Sequence, residues 1–221
     1  MIRPFFPNPI LFGIELIFSI VIILLCLIIY SKTKEAFKLT KHKGIEYFRK
    51  TFLFLAFAYL FRFISSVLMI FSIANGFRLP RFLFGPLSLI FVSYFSTIAI
   101  IFLFLSASWK QIKWKYTGFF SHVLAAIIAL LAFVSREPVI IISCQAILLL
   151  ITALFSFSLH KRSKKFSKLF VIYLLLFIFW IFGLAPLSSR RFFPREWILI
   201  IHIISFVIFI TIFYKVHKWL K

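Results

Sequence analysis

Two ionisable residues sit inside long apolar runs of this sequence, Glu15 and Arg62. A charge at membrane depth costs about 2.5–3.5 kcal/mol on insertion scales, so each such residue is a candidate for function. Helical rise puts Glu15 about 9 Å below one end of the first apolar run and Arg62 about 16 Å from the opposite end of the second. Their depths differ by only several ångströms, a span that an arginine side chain covers, so an ion pair between adjacent antiparallel helices is expected. Such a pair has two readings. It fixes helix packing by mutual neutralisation, or Arg62 holds an anion or carboxylate while Glu15 carries a proton or cation. Other polar residues fall at similar depth: Ser93 and Tyr94, Gln145, Trp180 and His202. Glu15, Arg62, Tyr94, Gln145, Trp180 and His202 are therefore the candidate lining of one small pocket in the outer half of the molecule.

Enzymatic chemistry finds few tools here. The chain has no Asp, which excludes an aspartyl intramembrane protease, and it contains neither His-Glu-x-x-His nor Gly-x-Ser-x-Gly. Of its five His, only His122 and His202 lie well inside apolar runs, near opposite faces, so a three-His zinc site is not expected. Cys26 and Cys144 fall in separate runs near opposite faces and read as small core residues, not as a disulfide. No metal, cofactor or enzymatic activity is expected.

The elements that must position these residues are membrane helices. The 221 residues are 63% hydrophobic with a mean hydropathy of +1.10, against roughly 45–50% apolar content in soluble domains. Seven stretches are long enough to cross a hydrocarbon core of ~30 Å: 9–30, 51–74, 84–108, 117–135, 138–159, 168–187 and 197–214. The fold class is thus all-α, a single seven-transmembrane-helix bundle over 1–221. Alternation of polar and apolar residues, the mark of a β-barrel strand, is absent from runs such as 20–30. The first run is too long for a secretion signal and lacks a small-residue cleavage site, so it reads as a permanent span.

Net charge is +21, from 26 Lys and Arg against five Glu. Its location points to lipid and not to nucleic acid. Seven basic residues lie in 31–50, three in 109–116, five in 160–168 and three from Lys215 on; the alternate side carries one, two, one and three. By the positive-inside rule this eighteen-to-seven asymmetry predicts N-out, C-in. Anionic lipids are then the expected partner at the cytoplasmic face of the cell membrane, at about 1 kcal/mol per basic side chain. The segments 31–50 and 160–168 could also dock a separate signalling protein. No breaker precedes Gly44, so the first helix should run on past the membrane before stopping. Trp109, Trp114, Trp197 and Trp219 mark interfaces. A faint three-plus-one-plus-three repeat sets Glu15 against Gln145 and Ser88 against His202, though alternating charge alone would create much of that likeness.

Seven spans with an external amino terminus resemble the microbial rhodopsins, but 197–214 holds no lysine to carry retinal, and Lys215 is at the far end. Short outer turns, a basic first cytoplasmic connection and an aromatic second span (Phe52, Phe54, Phe57, Tyr59, Phe61, then Arg62) are similar to the seven-helix sensory module ahead of some prokaryotic histidine kinases. That resemblance implies a receptor-like sensor; with no kinase after Lys221, it would signal through a separate partner. A small transporter or channel is the alternative expectation, and a structural subunit of a membrane complex the third.

Overall fold

The computed structural model describes residues 9–74, 81–112, 116–135, 138–163, 168–188 and 195–220. Every element among them is a helix: α1 Pro9–Thr40, α2 Lys43–Ala74, α3 Arg81–Ser108, α4 Thr117–Ser135, α5 Pro138–Ser163, α6 Lys168–Ser188 and α7 Arg195–Leu220. Six are long and apolar enough to cross a membrane, and α6 adds a shorter apolar stretch, Phe170–Gly183, among the described residues. Residues 78–80, 164–167 and 190–194 and Trp114, singled out above as turns, basic links and an interface marker, lie outside the described residues.

The helices form a ring that α1 closes against α7, with α3 packed on α2, α4 and α5. Its outer surface is the reverse of a soluble protein's: Leu24 (54% exposed), Phe71 (62%), Phe119 (71%) and Leu154 (61%) point outward. The ring encloses a core of large side chains: Ile22, Phe48, Phe52, Leu55, Leu103, Leu149, Ile172, Phe179 and Phe209 are each 2% exposed or less. Small residues serve where helices must approach closely. On α4, Ser121, Ala125, Ala129 and Ala132 form a buried stripe, the usual device of membrane helices, which associate by packing alone.

One expectation needs correction. The segment 31–50 was expected to be a long connection with one helical extension; instead both flanking helices extend, and only Lys41 and His42 separate them. Thr40 and Lys43 are therefore nearly adjacent ends of two 32-residue helices. The chain reverses through Lys41, whose φ of 50° is left-handed. A Glu46–Lys50 ion pair at i,i+4 (2.6 Å) supports the new first turns of α2. Its spacing is in the sequence, but the basic charge around it reads first as a solvated link.

The turn is buttressed by α3. The indole of Trp109 packs edge-on against His42 at 4.1 Å between ring centroids, and Ser106 donates to the Gly44 carbonyl at 2.9 Å. A Cβ at Gly44 would lie 2.8 Å from Trp109 Cδ1. The helix pair thus closes on α3 because residue 44 has no side chain. Gly44→Ala should force the indole aside, at about 1–3 kcal/mol, and lower the melting temperature in detergent by several degrees. Gly118→Ala, with nothing within 4 Å of its added methyl, should leave the melting temperature unchanged or slightly raised.

Candidate functional site

Glu15 and Arg62 meet. The Nε and Nη2 of Arg62 both donate to Glu15 Oε1, at 2.9 and 2.8 Å. Six residues into α1 and twelve from the end of α2, they reach a common level because the two helices run antiparallel. Their side chains retain 29% and 18% exposure, so each charge is substantially withdrawn from its surroundings. Two donors on one carboxylate oxygen make the pair directional, a geometry suited to arginine and not to lysine.

Arg62 also lines a cavity of about 50 Å³ between α2, α3, α5 and α6, whose polar wall includes Tyr59, Ser96, Gln145 and Trp180. Gln145 is 1% exposed, and its Nε2 donates to Ser96 Oγ and, at 3.1 Å, to Thr97 Oγ1. That amide ties α5 to α3, while Phe179 leans on Tyr59 across α6 and α2 with ring centroids 6.2 Å apart. Gly183 opens the α6 side of the cavity; a Cβ there would stand 3.6 Å from the Tyr59 hydroxyl. The volume suits a water or two, or a small ion. It is far below the 300–1,000 Å³ of drug-sized ligand sites.

Of the six sequence candidates, Arg62, Gln145 and Trp180 share this cavity, and Glu15 joins through Arg62. Tyr94 does not. It turns to α4, where its hydroxyl meets His122 Nδ1 at 2.6 Å, beside the rings of Phe54 and Phe102. His202 is also elsewhere, buried against Phe18 on α1 at 5.1 Å. Both corrections concern rotation about a helix axis; depth alone does not say which side of a helix faces the pocket. Tyr59, Ser96, Thr97 and Gly183 were missed. Tyr59 lies three residues before Arg62, one helical turn away, and that spacing could have nominated it.

No family model matches this chain, and no solved structure does. The chain is similar to an uncharacterised protein of Archaeoglobus fulgidus, 29% identical over 226 residues that cover 98% of this chain and 96% of that one. The likeness spans all seven helices. It adds no activity to what the geometry offers.

Two stability measurements test the site. In a double-mutant cycle of Glu15→Gln and Arg62→Gln, each single variant should be less stable than the wild type. The double variant should recover part of the loss, giving a coupling of about 1–3 kcal/mol. Gln145→Leu removes the α3–α5 bonds and should cost about 0.6–2 kcal/mol. Thermal unfolding in detergent, followed by helix circular dichroism, reads both.

Proposed function

We propose that this chain is a receptor-like sensory membrane protein, oriented N-out and C-in, in which a small polar or anionic ligand binds at the Arg62–Gln145–Trp180 cavity. One observation carries the choice of receptor over transporter. Between the cavity and the basic end of the bundle, the interior is filled by Phe48, Phe52, Leu55, Leu103, Leu149, Ile172 and Phe209, each 2% exposed or less. A transporter must open its site to both sides in turn, and seven large interlocked side chains oppose that on the basic side.

Communication has a ready route. From Glu15 to Thr40, α1 runs unbroken for about 37 Å, and from Arg62 back to Lys43, α2 runs for about 28 Å. Arg49 donates to the Tyr30 hydroxyl at 2.8 Å and lies over that ring at 4.4 Å, which joins the two helices near the basic turn. A ligand that alters the Glu15–Arg62 pair therefore acts on both helices that present the basic hairpin to a cytoplasmic partner. The chemistry at the site is recognition, with no catalytic step.

The test is thermal stability of the purified protein against small anions, the halides, nitrate and formate, for wild type, Arg62→Ala and Gly183→Val. A member of the panel should stabilise the wild type and neither variant, since one variant loses the charge and the other fills the cavity. The same solute should not cross liposomes containing the protein; measured flux would replace the receptor with a transporter. If no solute stabilises the wild type, the pair acts in packing alone.

Orientation has its own measurement. Leu39 is 87% exposed near the end of α1, so Leu39→Cys, in a chain with Cys26 and Cys144 replaced by Ala, offers a reporter thiol. A membrane-impermeant maleimide should label it only after cells are opened. Labelling of intact cells would reverse the orientation.

A further inference from the structure

The wall of the Arg62 cavity favours one sign of charge. Two of the five N–H groups of Arg62 go to Glu15, which leaves three others on a side chain that lines the cavity. Tyr59, 7% exposed, and Trp180, 4% exposed, bring a hydroxyl and an indole N–H to the same wall. Among the described residues the lining holds no carboxylate. Donors around a guanidinium, with no negative charge among them, recognise an anion. The volume of about 50 Å³ restricts that anion to a few atoms.

Glu15 sets a condition on its entry. The Glu15–Arg62 pair is neutral, so a monovalent anion placed beside Arg62 leaves one net negative charge in a site enclosed by helices. An uncompensated charge out of water is costly, and a proton on Glu15 removes it. Carboxylic acid, guanidinium and anion then carry the same net charge as carboxylate and guanidinium. The protonated carboxyl still accepts from Nε and Nη2 of Arg62 through its carbonyl oxygen, so the joint between α1 and α2 is kept. Other titratable groups stand near. On α2, the Tyr59 hydroxyl is within electrostatic reach of both Glu15 and Arg62. From α7, His202 packs on Phe18, one turn along α1 from Glu15. Cys26, three turns along α1 and buried, also acts on Tyr59. Of these groups, Glu15 is the one whose charge Arg62 holds directly.

We propose, resting on the reading of this cavity as the ligand site, that it takes up a small monovalent anion together with one proton, the anion held by Arg62 and the proton by Glu15. The proton comes from the surrounding solution, and the O–H on Glu15 is the one bond formed. Coupling of this kind is reciprocal, so acid tightens anion binding and anion binding consumes acid. The bundle then responds to an acid and its anion jointly, and weakly to either one alone.

Bromide and nitrate are the probes, titrated as sodium salts against gluconate at constant ionic strength, with the apparent Kd read from thermal stabilisation of the detergent-purified full chain. For wild type the Kd should fall about ten-fold for each unit by which pH is lowered, levelling off once the free carboxyl already holds its proton. A pH indicator in weak buffer should record about one proton taken up per anion bound above that level. Glu15→Gln should bind with the plateau affinity at every pH and take up no proton. His202→Gln should keep both the slope and the proton. A wild-type affinity that ignores pH overturns the coupling and leaves the cavity as an anion site; a slope that survives Glu15→Gln overturns the assignment of the proton. If neither anion binds wild type or Glu15→Gln at any pH, the reading of the cavity as a ligand site falls as well. Should Glu15→Gln fail to fold, the wild-type proton count and His202→Gln decide, and loss of the slope in that variant overturns the proposal.

Discussion

Hydrocarbon offers no hydrogen bonds, and that constraint governs the polar content of this molecule. Helices satisfy their own backbone, and many Ser and Thr hydroxyls return to a carbonyl on their own helix, as with Ser19 to Glu15, Thr33 to Ile29, Thr51 to Tyr47 and Thr152 to Leu148. Such hydroxyls are polar in composition but neutral in packing. Among the described residues, other polar groups reach across to another helix and mark the joints of the bundle: Arg62 to Glu15, Arg49 to Tyr30, Lys32 to His217, Gln145 to Ser96 and Thr97, Tyr94 to His122, Ser106 to Gly44 and Tyr173. Van der Waals packing holds the rest.

This economy explains what could be read from the sequence and what could not. Helix number and depth follow from counting, because rise per residue is fixed and charges are rare. The meeting of Glu15 with Arg62 is legible for that reason. Rotation about the axis is a different matter. The spans are apolar on every side, so no polar face marks which residues point inward, and inside and outside are chemically alike when the surroundings are lipid. Tyr94 and His202, at the right depth, turn to α4 and α1. Gly183 and Tyr59 shape the cavity without carrying charge, and nothing in their identity announces it.

The hairpin of α1 and α2 was half legible. Basic residues suggest a solvated loop, yet the segment contains good helix formers, and the one glycine is recruited for closeness and not for flexibility. Gly44 admits the Trp109 indole, and that contact, with the Ser106 hydroxyl bonded to both Gly44 and Tyr173, brings α2, α3 and α6 to one point. Trp109, expected to mark an interface, is thus also part of the framework. Trp219 behaves similarly, edge-on to Phe48 at 5.8 Å.

The two-residue link between Thr40 and Lys43 has a mechanical consequence. Helices this long, joined so tightly and cross-bonded through Arg49 and Tyr30, form a lever that pivots at the level of Glu15 and Arg62. A tilt of about 3° at the level of Glu15 displaces the tip by about 2 Å over a ~37 Å arm, enough to break a hydrogen bond or make one. Stiffness, not mobility, is what would let so small a site be felt at so great a distance.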